Sequence, residues 1–133
     1  MYRYYASATV CYVYLADVDG ACPRLDQHQG EWTGDSKKWQ DQFASSRWFY
    51  RGWTLQELLA PKDARFFGSR WNFLGRKQEL IQTISRITNI DTAILAQSAN
   101  MAAVSIARRM SWAAYRQTSR VEDQAYCLLG IFK

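Results

Sequence analysis

Apolar positions recur along this chain in blocks, and changes in their spacing between two and about three and a half residues mark its elements. Residues 2–8 read as the last turns of a helix, and Thr9-Val10-Cys11-Tyr12-Val13-Tyr14-Leu15 is a nearly unbroken β-branched and aromatic run, which predicts a strand buried on both faces. From Ala21 to Gly34 no period emerges and Pro23, Gly30 and Gly34 interrupt the chain, so a loop is expected, either a lid or a plain connection. Asp35 or Ser36 can cap a short helix that carries Trp39 and Phe43 one turn apart. Ser46 to Pro61 predicts one helix of about four turns, capped by Ser45 or Ser46 and stopped by Pro61, whose ring nitrogen has no hydrogen to donate. Ala64-Arg65-Phe66-Phe67, closed by Gly68, is a second strand, and strand, helix, strand in that order makes a βαβ unit with the helix across the sheet.

In the second half, Leu80, Ile81, Ile84 and Ile87 predict an amphipathic helix within Leu74–Ile90. Asp91 is read as the cap of a short turn through Ala96, and Ser105 as the cap of a helix from Ile106 to Tyr115. The last helix runs from Val121 to Leu129, with Gly130 ending it in the left-handed conformation and Arg120 pairing locally with Glu122 and Asp123. The fold class is therefore α/β in one domain. Residues 1–68 carry a small parallel sheet with flanking helices, and residues 69–133 form a helical part.

Composition narrows the function classes. With 48% hydrophobic and 15% aromatic residues the chain can bury a sizeable core, which excludes a disordered segment. A net charge of +5 permits phosphate contacts, but the 17 basic residues are scattered and form no stripe between aromatics, so nucleic-acid binding ranks last. Cys11, Cys22 and Cys127 are odd in number and lack metal-ligand spacing, and His28 is the single histidine, which points to a reducing cytoplasm and no metal centre. No apolar run approaches the ~20 residues of a membrane span. The signal-peptide-like start fails on its five tyrosines and on Asp17 and Asp19 directly after it. Without a phosphate loop, a GxGxxG turn or a nucleophile elbow, chemistry rests on carboxylates and arginines.

Among those, Glu57 follows Trp53 by four residues and Thr54 by three, so on a helix the three share a face and the carboxylate lies beside an indole. Two readings stand: a partly desolvated acid that attracts a proton or a cationic ligand, and a surface carboxylate paired with an arginine. Gly52 costs about 1 kcal/mol in a helix interior, so it signals a kink or a close backbone approach. Asp17 and Asp19 follow the first strand, where open α/β sheets hold ligands; a solvated turn is the other reading, and the preferred one for Asp19-Gly20.

Three blocks, Val10 to Val18, Ser46 to Pro61 with Arg51-Gly52-Trp53-Thr54-Leu55-Gln56-Glu57-Leu58 at its centre, and Arg109-Met110-Ser111-Trp112-Ala113-Ala114 through Glu122-Asp123-Gln124-Ala125-Tyr126-Cys127-Leu128-Leu129-Gly130, resemble the heterokaryon incompatibility (HET) domain of filamentous fungi. The resemblance runs nearly end to end. It implies a role in non-self recognition and regulated cell death, exercised through self-association or an incompatibility partner. HET domains in turn resemble TIR domains, whose flavodoxin-like sheet is flanked by a helix with a tryptophan four residues before a glutamate, as Trp53 and Glu57 stand here. The resemblance thus implies NAD as a substrate rather than a tightly bound cofactor, with Glu57 catalytic and Trp53 and Asp17 near the nucleotide. The family's strand with a serine-histidine-tryptophan-glycine segment and the tryptophan-isoleucine-aspartate strand have no counterpart here, and Tyr50 replaces a usual threonine. An incomplete TIR-like domain is therefore expected, with the first strand as an open edge that self-associates and no NAD cleavage by these residues alone.

Overall fold

The computed structural model describes residues 2–19 and 36–132; the loop expected over 21–34 and the capping role of Asp35 lie outside the described residues. The element order is α1 (Tyr2–Ser7), β1 (Cys11–Tyr14), α2 (Ser36–Ala44), a 3-10 helix (Arg47–Tyr50), α3 (Thr54–Leu59), β2 (Ala64–Phe67), β3 (Phe73–Arg76), α4 (Ile81–Thr88), α5 (Thr92–Leu95), a second 3-10 turn (Met101–Ala103), α6 (Ile106–Ser111) and α7 (Val121–Leu129). β1 and β2 pair in parallel, Cys11 opposite Ala64 through Tyr14 opposite Phe67, as the βαβ reading expects. β3 joins the far side of β2 antiparallel, giving the order β1-β2-β3.

That third strand corrects the helix expected from Leu74. The chain first lays Phe73-Leu74-Gly75-Arg76 against β2, and the helix begins at Ile81. Gly75, at φ 152°, permits this: Leu80 side-chain carbons sit 3.1 Å from where a Cβ would stand. Asn89, in the left-handed conformation at φ 57°, ends α4.

β1 is not buried on both faces. Val13 points into the core while Tyr12 and Tyr14 face outward, so burial alternates with the strand's period of two. The inner face is aromatic: Phe66 of β2 meets Trp48 at 5.5 Å and Phe43 at 5.7 Å between ring centroids. The outer face is aromatic too. Tyr14 stacks on Trp71 at 4.5 Å, and Phe67 packs edge-on against Tyr12 and Phe73. Tyr12 and Trp71 nevertheless remain 62% exposed.

The helix expected from Ser46 to Leu59 is two pieces. After the 3-10 helix the backbone of Arg51 extends, at φ −85° and ψ 137°, and forms a parallel bridge with Gln117. Gln117 N–H donates to Tyr50 O at 2.6 Å and Gly52 N–H donates to Gln117 O at 2.8 Å. Buried Arg116 completes the joint by donating Nη1 to Arg51 O at 3.1 Å and to Thr54 Oγ1 at 2.8 Å. Gly52 is thus both the break and the close approach, since a Cβ there would run into Thr118 Cγ2 and come within 3.2 Å of Cys127 Sγ. The 3-10 half lies on the sheet, and α3 turns away to pack against α1, α5 and α7.

The C-terminal carbonyls of α3 are satisfied from outside the helix. Lys77, 1% exposed, donates Nζ to Leu58 O at 3.0 Å and Pro61 O at 2.6 Å. Gln97 Nε2 reaches Leu59 O and Ala60 O, both at 3.0 Å. Burial lowers the Lys77 pKa to about 8, so the ammonium persists at neutral pH.

Four smaller expectations change. Gly130 is right-handed at φ −68°; its value is space, because a Cβ would meet Tyr2 Cβ at 2.6 Å and the Gln56 amide at 3.2 Å. Asp91 precedes α5 but makes no side-chain cap bond, its carboxylate going to Arg108 instead, and α6 stops at Ser111. Among the described residues the ion pairs join Arg47 to Asp17, Arg65 to Asp63 and Arg108 to Asp91, so Arg120 pairs with neither Glu122 nor Asp123.

Gly52→Val should therefore lower unfolding free energy by about 1–3 kcal/mol in denaturant titration, the cost of overpacking against Thr118 and Cys127. A loss below ~1 kcal/mol would mean that Thr118 and Cys127 swing aside freely.

Candidate functional site

The candidate residues fall on two sides of the 3-10 helix. Asp17, at the carboxyl end of β1, holds that helix down: its Oδ1 accepts from Ser46 Oγ at 2.7 Å and its Oδ2 from Arg47 N–H at 2.8 Å. Ser46 Oγ in turn accepts from Trp48 N–H at 3.4 Å, so side chain and cap form one chain of hydrogen bonds onto the helix's free amides. Burial pushes the Asp17 pKa up, but the bonds from Arg47 N–H and Ser46 outweigh it and leave the carboxyl below its ordinary value. The exposed Arg47 guanidinium, 3.8 Å away, adds little. A cavity of about 260 Å³ opens here beside Asp17, Ser46, Arg47 and Arg51. Asp19 accepts from Ser69 Oγ at 2.7 Å, which ties the end of β1 to the loop after β2.

Glu57 lies on α3, on the side facing α1. Tyr5 donates its hydroxyl to Glu57 Oε1 at 3.2 Å, and no arginine pairs with Glu57 among the described residues. Burial, then the charge of Glu57 and this hydrogen bond, push the Tyr5 pKa up to about 12. Burial raises the Cys11 thiol as well, with Glu57 adding to the rise and Lys77 opposing it. Glu57 thus accepts from a phenol that stays protonated, and the residue is half-buried.

Trp53 is half-buried one turn before Glu57 and lines a cavity of about 760 Å³ with Tyr2, Gln56, Met101, Tyr126 and Leu129. Thr54, expected on the same face, is turned inward to the carbonyls of Trp48 and Arg51 and to Arg116. Trp53 and Glu57 thus stand one turn apart, but Glu57 is not among the residues that line the Trp53 cavity, and Asp17 borders a different one. Sequence reasoning missed Lys77, Arg116 and Gln56. Lys77 sits in a polar run without period, and Gln56, 2% exposed, is next to the exposed-looking Glu57; nothing local marks either as buried. Arg116 had one signal, its place among aromatic and small residues in Trp112-Ala113-Ala114-Tyr115-Arg116. Among the described residues no cluster of His, Cys, Asp and Glu could hold a metal ion, and no helix is long and apolar enough to cross a membrane.

Against known proteins, the chain is 39% identical over 132 residues to the vegetative incompatibility protein HET-E-1 of Podospora anserina. The alignment takes in 99% of this chain and 9% of that protein's length, so the chain is homologous to one region of it. No family profile matches the chain, and no solved structure matches it.

Because the folded-state pKa of Asp17 is depressed, its contribution to stability is present above the unfolded carboxyl pKa and is lost as pH falls through the folded value. Asp17→Asn should cost about 1 kcal/mol at pH 7, and thermal melts of the two proteins should converge as pH drops below the ordinary carboxyl range. A difference that persists undiminished in acid would show that the Asp17 charge does not hold the 3-10 helix.

Proposed function

We propose that this chain acts in fungal vegetative incompatibility, as a HET-type module of the non-self recognition and regulated cell-death class. The observation that carries this reading is the 39% identity to HET-E-1 along 99% of the chain. Induced expression in a filamentous fungus of the full gene product containing this chain should arrest growth, and unimpaired colonies on induction would overturn the reading.

At the chemical level the reading is a TIR-like cleavage of NAD with Glu57 as the catalytic carboxylate. Its support is the placement of Glu57 one turn beyond Trp53, with Tyr5 fixing its Oε1 and Trp53 lining a cavity of about 760 Å³. As the glycosidic bond breaks, nicotinamide leaves with the bonding pair and positive charge builds on the ribose; a fixed carboxylate stabilises that charge, and water then adds at the ribose carbon and loses a proton. The full gene product should consume NAD, and Glu57→Gln, which keeps the shape and removes the charge, should slow turnover about 100-fold or more. Equal rates for the two proteins would remove Glu57 from catalysis and leave the incompatibility role standing.

A second reading, a module that works by self-association, is favoured by the edge position of β1 among the described strands and the exposed aromatics beside it. Cys11 N–H and Leu15 N–H donate to Asp63 O and Phe67 O, so by the strand's alternation the main-chain groups of Tyr12 and Tyr14 turn to the other side. Sedimentation should show the isolated chain as an oligomer that Tyr12→Lys together with Tyr14→Lys returns to monomer. A monomer at all concentrations counts against this mode.

A further inference from the structure

Two cavities adjoin at α1. The one beside Trp53, about 760 Å³, shares Tyr2, Ala6 and Met101 with a second of about 290 Å³ that runs on past Leu59 and Ile94. Glu57 lines neither, so the space needs an account of its own. Its charge is one-sided. Arg3 and Lys62 are the charged residues that line the two cavities; both are exposed cations, and among the described residues neither forms an ion pair. Among the described residues no acid lines either cavity, and Glu57, one turn beyond Trp53, accepts from Tyr5 instead.

The larger cavity combines an apolar lining with polar groups of one kind. Its volume, about 760 Å³, falls in the range that holds small molecules, roughly 300–1,000 Å³. Tyr2, Trp53 and Tyr126 line it with their rings, and Met101 and Leu129 add aliphatic surface. Gln56 offers a ligand nothing, since its Nε2 is bound to Cys127 O and its Oε1 is shielded from water. What remains is donors. The indole N–H of Trp53 and the guanidinium of Arg3 can only donate, and burial pushes the Tyr2 phenol up, so it too keeps its proton. Flat walls favour a flat ligand, and a set of donors with a cation and no acid favours one that carries a negative acceptor.

We propose that the Trp53 cavity binds a planar aromatic carboxylate, with its ring among Tyr2, Trp53 and Tyr126 and its carboxylate paired with Arg3. A guanidinium suits that role because its planar fork matches the two oxygens of a carboxylate. Lys62, in the adjoining cavity, adds positive potential. α1 supplies Tyr2 and Arg3, the start of α3 supplies Trp53 and α7 supplies Tyr126, so the ligand is held where three helices meet. The site stands whether or not Glu57 cleaves NAD.

2-Naphthoate, 2-naphthamide and 2-naphthylmethylammonium present one ring system with a negative, a neutral and a positive group, so together they read the charge the cavity prefers. Titrated against the chain at low salt and followed by ligand-detected NMR, naphthoate should bind about three- to fivefold more tightly than naphthamide, and the ammonium most weakly. Raising the salt to about 1 M should bring naphthoate down towards naphthamide, because the Arg3 pair is open to screening. Arg3→Gln changes an exposed residue and leaves the core untouched, so it should abolish the preference while naphthamide binding stays in place. Trp53→Leu, a change at a half-buried wall, should weaken all three. Binding by none of the probes, equal affinity for naphthoate and naphthamide, tighter binding of the ammonium, a preference that survives Arg3→Gln, or affinities that Trp53→Leu leaves unchanged would each overturn the proposal.

Discussion

One joint fixes the relation between the two halves of this molecule: the backbone of residues 50–52 bonded to Gln117, with the Arg116 guanidinium wedged behind it. A buried cation is expensive to desolvate, and burial accordingly lowers the Arg116 pKa to about 10. What offsets the cost is a set of neutral acceptors gathered at the joint. Arg51 O has left the helical ladder, Thr54 Oγ1 sits at the start of α3, and Trp112 O lies at the end of α6. Exchanging Arg116 for an apolar side chain would leave these oxygens without that donor, and exchanging it for lysine would replace a planar fork with a point charge. The guanidinium is there because the chain breaks, and the break holds its angle because of the guanidinium.

The same logic governs the far end of α3. Pro61 stops the helix but cannot satisfy the carbonyls it strands, so Lys77, arriving from β3, and Gln97, arriving from beyond α5, converge on them. A lysine is suited to this place in spite of its burial, since the last turn of a helix carries partial negative charge. The result is a short helix whose start and end are both held by residues distant in sequence. Glu57 and Trp53 ride on it, so their positions are set by contacts made at residues 77, 97 and 116.

This is also why the sequence was legible in some places and closed in others. β1, β2 and α7 were readable because each states its own pattern: a β-branched and aromatic run, a short aromatic run ended by glycine, and an acidic start followed by apolar spacing. The break at Gly52 was half readable. The glycine announced a close approach, but apolar spacing continues across it from Trp48 to Leu59, and the partners that open the helix lie more than sixty residues later. β3 was closed because Phe73-Leu74-Gly75-Arg76 is short and interrupted by a glycine, and its strand character comes from β2 beside it. In the candidate site, Trp53 and Glu57 stayed together because four residues on a helix keep them so. Asp17 went elsewhere because the end of a strand and the side of a helix are brought together only by tertiary structure.

Gln56 shows how the parts combine. Its Nε2 is bound to Cys127 O, and the Sγ of that same Cys127 lies 3.2 Å from where a Cβ at Gly52 would stand. Through this single residue α7 therefore touches Gln56 with one atom and the joint with another. The glycine at 52 lets α7 come close, and the close approach places a carbonyl where the Gln56 amide can bond to it. With Nε2 committed there, Oε1 is turned to the Gly130 side of the cavity wall. The missing side chain at the break and the buried Gln56 oxygen without a donor are two consequences of one packing contact.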